Sequence, residues 1–101
     1  MDAPLPYHVS YSEHVREMLR ALGLHAREVG LGKQVLAAIR EIDSRLHIYS
    51  QFGQPLRNLS VEPAQLWIGV VDPLVVQYVL DESRRQVMVV HPITPLPGCG
   101  L

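Results

Sequence analysis

The sequence predicts an α+β domain in which a helical hairpin covers one face of a small antiparallel sheet. Two observations indicate this fold class. Apolar residues recur at helical spacing over two consecutive stretches that a short glycine turn separates. Three apolar runs with hairpin-length links then follow in the second half of the chain. Because a short strand candidate precedes the helices, the predicted order is β-α-α-β-β-β.

The first strand candidate, residues 7–12, contains tyrosine and valine, which favour strands. Ser12 is placed to cap the helix that follows, and Glu13 adds negative charge to its first turn, where the helix dipole favours it. This helix is predicted over 13–29, and Gly23 in its interior costs about 1 kcal/mol relative to alanine. Its apolar stripe consists of Val15, Met18, Leu19, Leu22, Ala26 and Val29.

A second helix is predicted over residues 33–48, after the turn Gly30-Leu31-Gly32. Its apolar face consists of Val35, Ile39, Ile42 and Leu46. Two helices joined by so short a turn form an antiparallel hairpin. The loop after it, residues 50–63, has room for a short strand near 56–59.

Three strands are predicted over residues 66–71, 74–80 and 86–91, and their short links make neighbouring strands antiparallel. Tyr78 shares strand parity with Leu74, Val76 and Leu80, so we expect a core position with its hydroxyl bonded to a partner. Valines occupy both parities of these strands, and one hairpin covers only one face of a sheet. We therefore expect the other face to form an interface, either in a homodimer or with another partner. Without such a partner, the chain is expected to be poorly soluble.

The composition predicts a single domain over residues 1–101, with irregular tails at 1–6 and 93–101. Apolar residues make up 48% of the chain, and Cys99 is the only cysteine, so no internal disulfide is expected. The five histidines show no metal-ligand spacing, and no cofactor motif is found. Without a signal-like start or a long apolar run, the expected compartment is the cytoplasm, with no membrane partner. A net charge of −1 argues mildly against nucleic-acid binding.

Three local motifs follow one another in this order of elements. Residues 52–59 read FGQPLRNL, a "G-x-x-L-x-x-L" link between helices and sheet, and residues 76–82 read VQYVLDE, a strand ending like "Y-x-V-D-E". Residues 87–90, VMVV, match a last core strand. With the element order, these motifs give residues 7–92 a resemblance to the RelE/ParE superfamily of bacterial toxins.

The resemblance implies a small cytoplasmic toxin that is paired with a cognate antitoxin. RelE-like members cleave mRNA at the ribosome, and ParE-like members inhibit DNA gyrase. A metal-free ribonuclease needs a base, cations for the phosphate and an acid for the leaving oxygen. The chain departs from the family here, because Val75 stands where an arginine is common, residues 66–71 carry no charge, and no basic or aromatic residue follows His91.

Three hypotheses follow from these observations. The first is a toxin homologue that acts mainly by binding protein: an antitoxin, a gyrase-like target or a second copy of itself. The second is an active mRNA endonuclease with the catalytic residues Arg57, Arg85 and His91, each of which also fits an ordinary surface or turn position. The third is a stand-alone interaction domain, since fold does not determine function. Trp67 fits either a binding anchor or a packed side chain.

Overall fold

The computed structural model describes residues 6–56 and 64–101, which form two helices and six strands. In chain order, the elements are β1 His8–Tyr11, α1 Glu13–Glu28, α2 Gly32–Ile48, a 3-10 turn Ser50–Phe52, β2 Gln54–Pro55, β3 Gln65–Val71, β4 Leu74–Asp81, β5 Gln86–Val89 and β6 Thr94–Pro95. The predicted fold class, a helical hairpin on a sheet, is confirmed. The strand expected near 56–59 lies mostly outside the described residues. None of the described helices is long and apolar enough to cross a membrane.

The start and end of α1 follow from its local sequence. The Ser12 hydroxyl accepts a hydrogen bond from the Val15 amide at 3.1 Å, which is the predicted cap. The helix continues through Gly23 and ends before Gly30, whose φ of +80° turns the chain toward α2. Met18 and Val29, predicted on the apolar stripe, are instead 43% and 44% exposed.

The sheet has the strand order β1-β5-β4-β3-β2, with β6 paired to β4. The prediction of an antiparallel sheet holds for β2 to β6, but β1 pairs with β5 in parallel. A parallel pair requires a long crossover between its strands. The helical hairpin and the following strands, which separate β1 from β5, provide it.

The C-terminal tail, predicted to be irregular over 93–101, contains β6 and is tied to the sheet. β5 pairs with the end of β4, and β6 pairs with its beginning, at Leu74 and Val75. The Leu96 amide donates to the Pro73 carbonyl at 2.8 Å, and Ile93 is buried. Both strands therefore follow the same edge of β4, with a break in pairing between them.

The core lies between the helices and one face of the sheet. The sheet contributes Leu74, Val76, Tyr78, Leu80, Val87 and Val89, and the helices contribute Val15, Ala26, Val35, Ala38, Ile42 and Leu46. The even-numbered residues of β4 are buried, whereas Val75, Gln77 and Val79 remain partly exposed. The alternation assigns one apolar face to the core and leaves the other on the outside.

Tyr78 occupies the predicted core position and has a partner for its hydroxyl. The hydroxyl donates to the Ser50 carbonyl at 2.5 Å, and burial raises the pKa of Tyr78 to about 12. Its ring stacks on Phe52 at 5.7 Å and on Trp67 at 6.4 Å between centroids. This stack joins the 3-10 turn to β3 and β4.

Asp81 gives folding a pH dependence at the end of β4. Its carboxylate accepts from the Ser83 hydroxyl at 2.7 Å and from the Arg84 amide at 3.1 Å, which lowers its pKa below the ordinary 3.8. A depressed carboxyl pKa adds stability above the unfolded value, and this is lost as pH falls through the folded pKa. We therefore expect the free energy of unfolding of Asp81→Asn to fall less steeply than that of the wild type as pH drops from about 5 to 2. Urea unfolding at several pH values measures this. If the free energy of unfolding fell equally with pH in wild type and variant, the assignment would be contradicted.

Candidate binding site

An apolar groove runs along the solvent side of the helical hairpin. It has a volume of about 460 Å³. Gly23 and Leu24 of α1 line one wall, Leu36 and Ile39 of α2 line the other, and the buried Val35 lies in the groove. Gly23 deepens the groove, because it has no side chain there and a methyl group added at this position would have no atom within 4 Å. Leu24 is 61% exposed and Leu36 48% exposed, so both apolar side chains face water.

Cations border this groove. Arg20 and Arg27 line it, and a second hollow that shares Arg27, Gly32 and Leu36 continues to Lys33. The described residues form two arginine–carboxylate ion pairs, Arg45–Glu41 and Arg84–Asp81, and one histidine–carboxylate contact, His47–Asp43, and none of the three involves a groove cation. An apolar strip with unpaired positive charges beside it is complementary to an amphipathic segment that carries acidic residues.

Arg85, a predicted catalytic residue, lies in the turn between β4 and β5 and has a structural environment. Its guanidinium stacks over the Tyr7 ring at 4.6 Å from the centroid. Its carbonyl accepts from the His8 amide at 2.9 Å, which holds the start of β1 against the turn. The backbone φ of Arg85 is +52°, an uncommon conformation for a side-chain-bearing residue.

The structure places two of the predicted catalytic residues, Arg85 and His91, at opposite ends of β5. His91 is exposed at a bend after β5, and Arg85 immediately precedes β5. The four residues of β5, which lie between them, span about 13 Å at 3.3 Å per residue. Arg57 lies outside the described residues. A nuclease site built on these three residues stays a prediction.

Trp67, the candidate for a binding anchor, lies in β3 against the core. Trp67 packs on Tyr78, and its buried indole N–H has no hydrogen-bond partner among the described residues. Trp67 therefore fits a packed side chain better than an exposed binding anchor. Within the described ranges, no group of histidine, cysteine and carboxylate side chains is arranged to hold a metal ion.

Comparisons of the chain with protein-family models, with curated proteins and with solved structures gave no significant match. The functional assignment therefore depends on the geometry above and on the resemblance in motif order.

Sequence reasoning missed the groove, although a signal for it exists. Leu24 and Leu36 fall outside the two apolar stripes, and Arg20 and Arg27 lie one helical turn either side of Leu24. Apolar residues off the core stripe of each helix indicate a second, outward contact. Finding the groove also required knowing that Gly23 faces outward from the hairpin, which the periodicity of α1 alone left open.

Proposed function

We propose that this chain is the toxin-like component of a type II toxin–antitoxin pair and that it acts mainly by binding protein. The groove of the hairpin carries the proposal. It presents exposed leucines to water, and isolated exposed leucines are common whereas a contiguous apolar groove marks a contact surface. The motif order that resembles RelE/ParE toxins supports an antitoxin as the partner.

The chemistry of the groove defines the segment that it binds. A helix with apolar residues at positions i, i+3 or i+4, and i+7 fills a groove between two helices. Acidic residues on the flanks of that segment would pair with Arg20, Arg27 and Lys33. The occupant of the groove is therefore an acidic amphipathic segment of the antitoxin.

Binding, and not RNA cleavage, is the activity that the described residues support best. A transition state with a pentacoordinate phosphate is stabilised by several cations held at one point. Val75 and the uncharged β3 supply none at the centre of the sheet, and Arg85 is engaged with Tyr7. We therefore expect no ribosome-dependent mRNA cleavage by the purified chain.

A growth assay tests the proposed function. The chain is induced in cells alone and together with the proposed antitoxin, which is sought as a small reading frame beside the gene. We expect growth arrest by the chain alone and recovery when the neighbour is present. Leu24→Glu should retain the arrest but lose the recovery, because it places a carboxylate in the groove opposite an acidic segment.

Ile48→Glu is the matched control for the growth assay. Ile48 is 66% exposed and lies on the same hairpin, but it does not line the groove. This variant should arrest growth and still be neutralised by the neighbour. No arrest by the wild type, or equal neutralisation of Leu24→Glu and Ile48→Glu, would refute the proposal.

A further inference from the structure

The face of the sheet that points away from the helices carries a broad apolar surface. The strand registers place Leu66, Ile68 and Val70 of β3 beside Val79, Gln77 and Val75 of β4. Met88 of β5 extends this row next to Val79. We define the outer sheet face by seven apolar residues: Leu66, Ile68, Val70, Val75, Val79, Met88 and Val90.

This outer sheet face is separate from the core. None of its seven residues belongs to the core cluster or packs against it. Each keeps part of its surface in water, and Val70 and Val90 are about half exposed. The fold therefore holds two apolar layers, and the helical hairpin covers only the inner one.

The outer sheet face is almost without charge. Among the described strand residues that share this face, the polar ones are His8, Ser10, Gln54, Gln77, Gln86 and Thr94. The one carboxylate on this parity, Asp81, is 5% exposed and bonded within its own turn. No lysine, arginine or glutamate lies at these positions, so neither a nucleic acid nor an acidic segment would find counter-charges here.

We propose that the outer sheet face binds a second copy of this chain and forms a two-fold dimer. A two-fold contact places the same surface on both sides, and a charge-free surface meets its own copy without repulsion. Two such faces pack about 10 Å apart with interdigitated side chains, as in a β-sandwich. This contact is distinct from the hairpin groove, so it does not rest on the proposed antitoxin.

The size of the face predicts a dimer of moderate affinity. β3 and β4 span about 25 Å at 3.3 Å per residue, and four adjacent strands span about 19 Å at 4.8 Å spacing. The flat footprint is therefore at most about 480 Å², against about 800 Å² of accessible surface per partner in a standard interface. Side-chain relief raises the accessible area above the footprint, so we expect dissociation in the micromolar range.

Analytical ultracentrifugation of the full chain between about 1 and 300 μM tests the dimer, since that range brackets micromolar dissociation. We expect a reversible monomer–dimer equilibrium. Val70→Lys, at an exposed position of the outer sheet face, and Val79→Lys, at its centre, should each weaken dimerisation tenfold or more, because each places an ammonium group without a counter-charge in an apolar contact. Circular dichroism establishes that the variants are folded.

Val29→Lys provides the matched control. Val29 is 44% exposed, similar to Val70 at 54%, but it lies at the end of α1 on the other side of the molecule. A lysine there suits the negative end of the helix dipole. This variant should dimerise as the wild type does. A wild type that stays monomeric to about 300 μM, or a dimer that folded Val70→Lys and Val79→Lys leave unchanged, would overturn the inference.

Discussion

Gly53→Ala should lower the free energy of unfolding by about 1–3 kcal/mol or more, the usual cost of overpacking a well-packed site. A methyl group at this position would lie 2.3 Å from the Ile68 carbonyl oxygen and 3.0 Å from the Gly69 Cα. These atoms belong to the backbone of β3, which is bonded along its length to β4. Relief of the contact would require the 3-10 turn to separate from the sheet. Thermal unfolding measures the effect, at about 4–8 °C of Tm per kcal/mol for a domain of this size.

Gly23→Ala is the control for this prediction, with the opposite expected sign. Its added methyl group meets no atom within 4 Å, and alanine favours the helix over glycine by about 1 kcal/mol. The same chemical change should therefore raise Tm at Gly23 and lower it at Gly53. Equal effects at the two positions would mean that the close approach of Gly53 to β3 is absent in solution.

Gly23→Leu should separate folding from partner binding. Leucine ranks close to alanine in helix propensity, so the free energy of unfolding should rise by about 1 kcal/mol. The side chain would extend into the open hairpin groove and occupy the volume that the partner segment needs. We expect the affinity for the proposed antitoxin to fall by about 100-fold, the size of a hot-spot effect.

Thermal unfolding and calorimetric titration of Gly23→Leu measure these two effects, with Gly23→Ala again as the matched variant. Gly23→Ala should share most of the gain in stability and retain most of the affinity, because it fills little of the groove. Undiminished partner affinity in a stably folded Gly23→Leu would mean that the groove is not the binding surface.

Much of the fold follows from local sequence patterns. The helical stripes around Val15 and Ile42, the Ser12 cap and the parity of Tyr78 each depend on neighbours within a few residues, so the prediction captured them. The parallel pairing of β1 with β5 depends on how the helical hairpin packs on the sheet, which no local pattern encodes. The strand β6 was missed because its proline, Pro95, argues against a strand, although edge positions accept proline.

The candidate site was less predictable than the fold. A resemblance to nucleases directed attention to Arg85 and His91, although the strand predicted over 86–91 already lay between them. Gly23 looked like a weak point of α1, whereas in the structure it forms part of the wall of the hairpin groove. Its role depends on packing between two helices, and the propensity of one residue carries no information about that packing.

The central claim is that the hairpin groove, and not the sheet, binds the proposed antitoxin. Titration of the ¹⁵N-labelled chain with that unlabelled protein, followed by amide chemical shifts, tests it most directly. We predict that the largest shifts occur at Gly23, Leu24 and Leu36. Large shifts confined to outer-face residues such as Val70 and Val79, with the groove amides unchanged, would contradict the account.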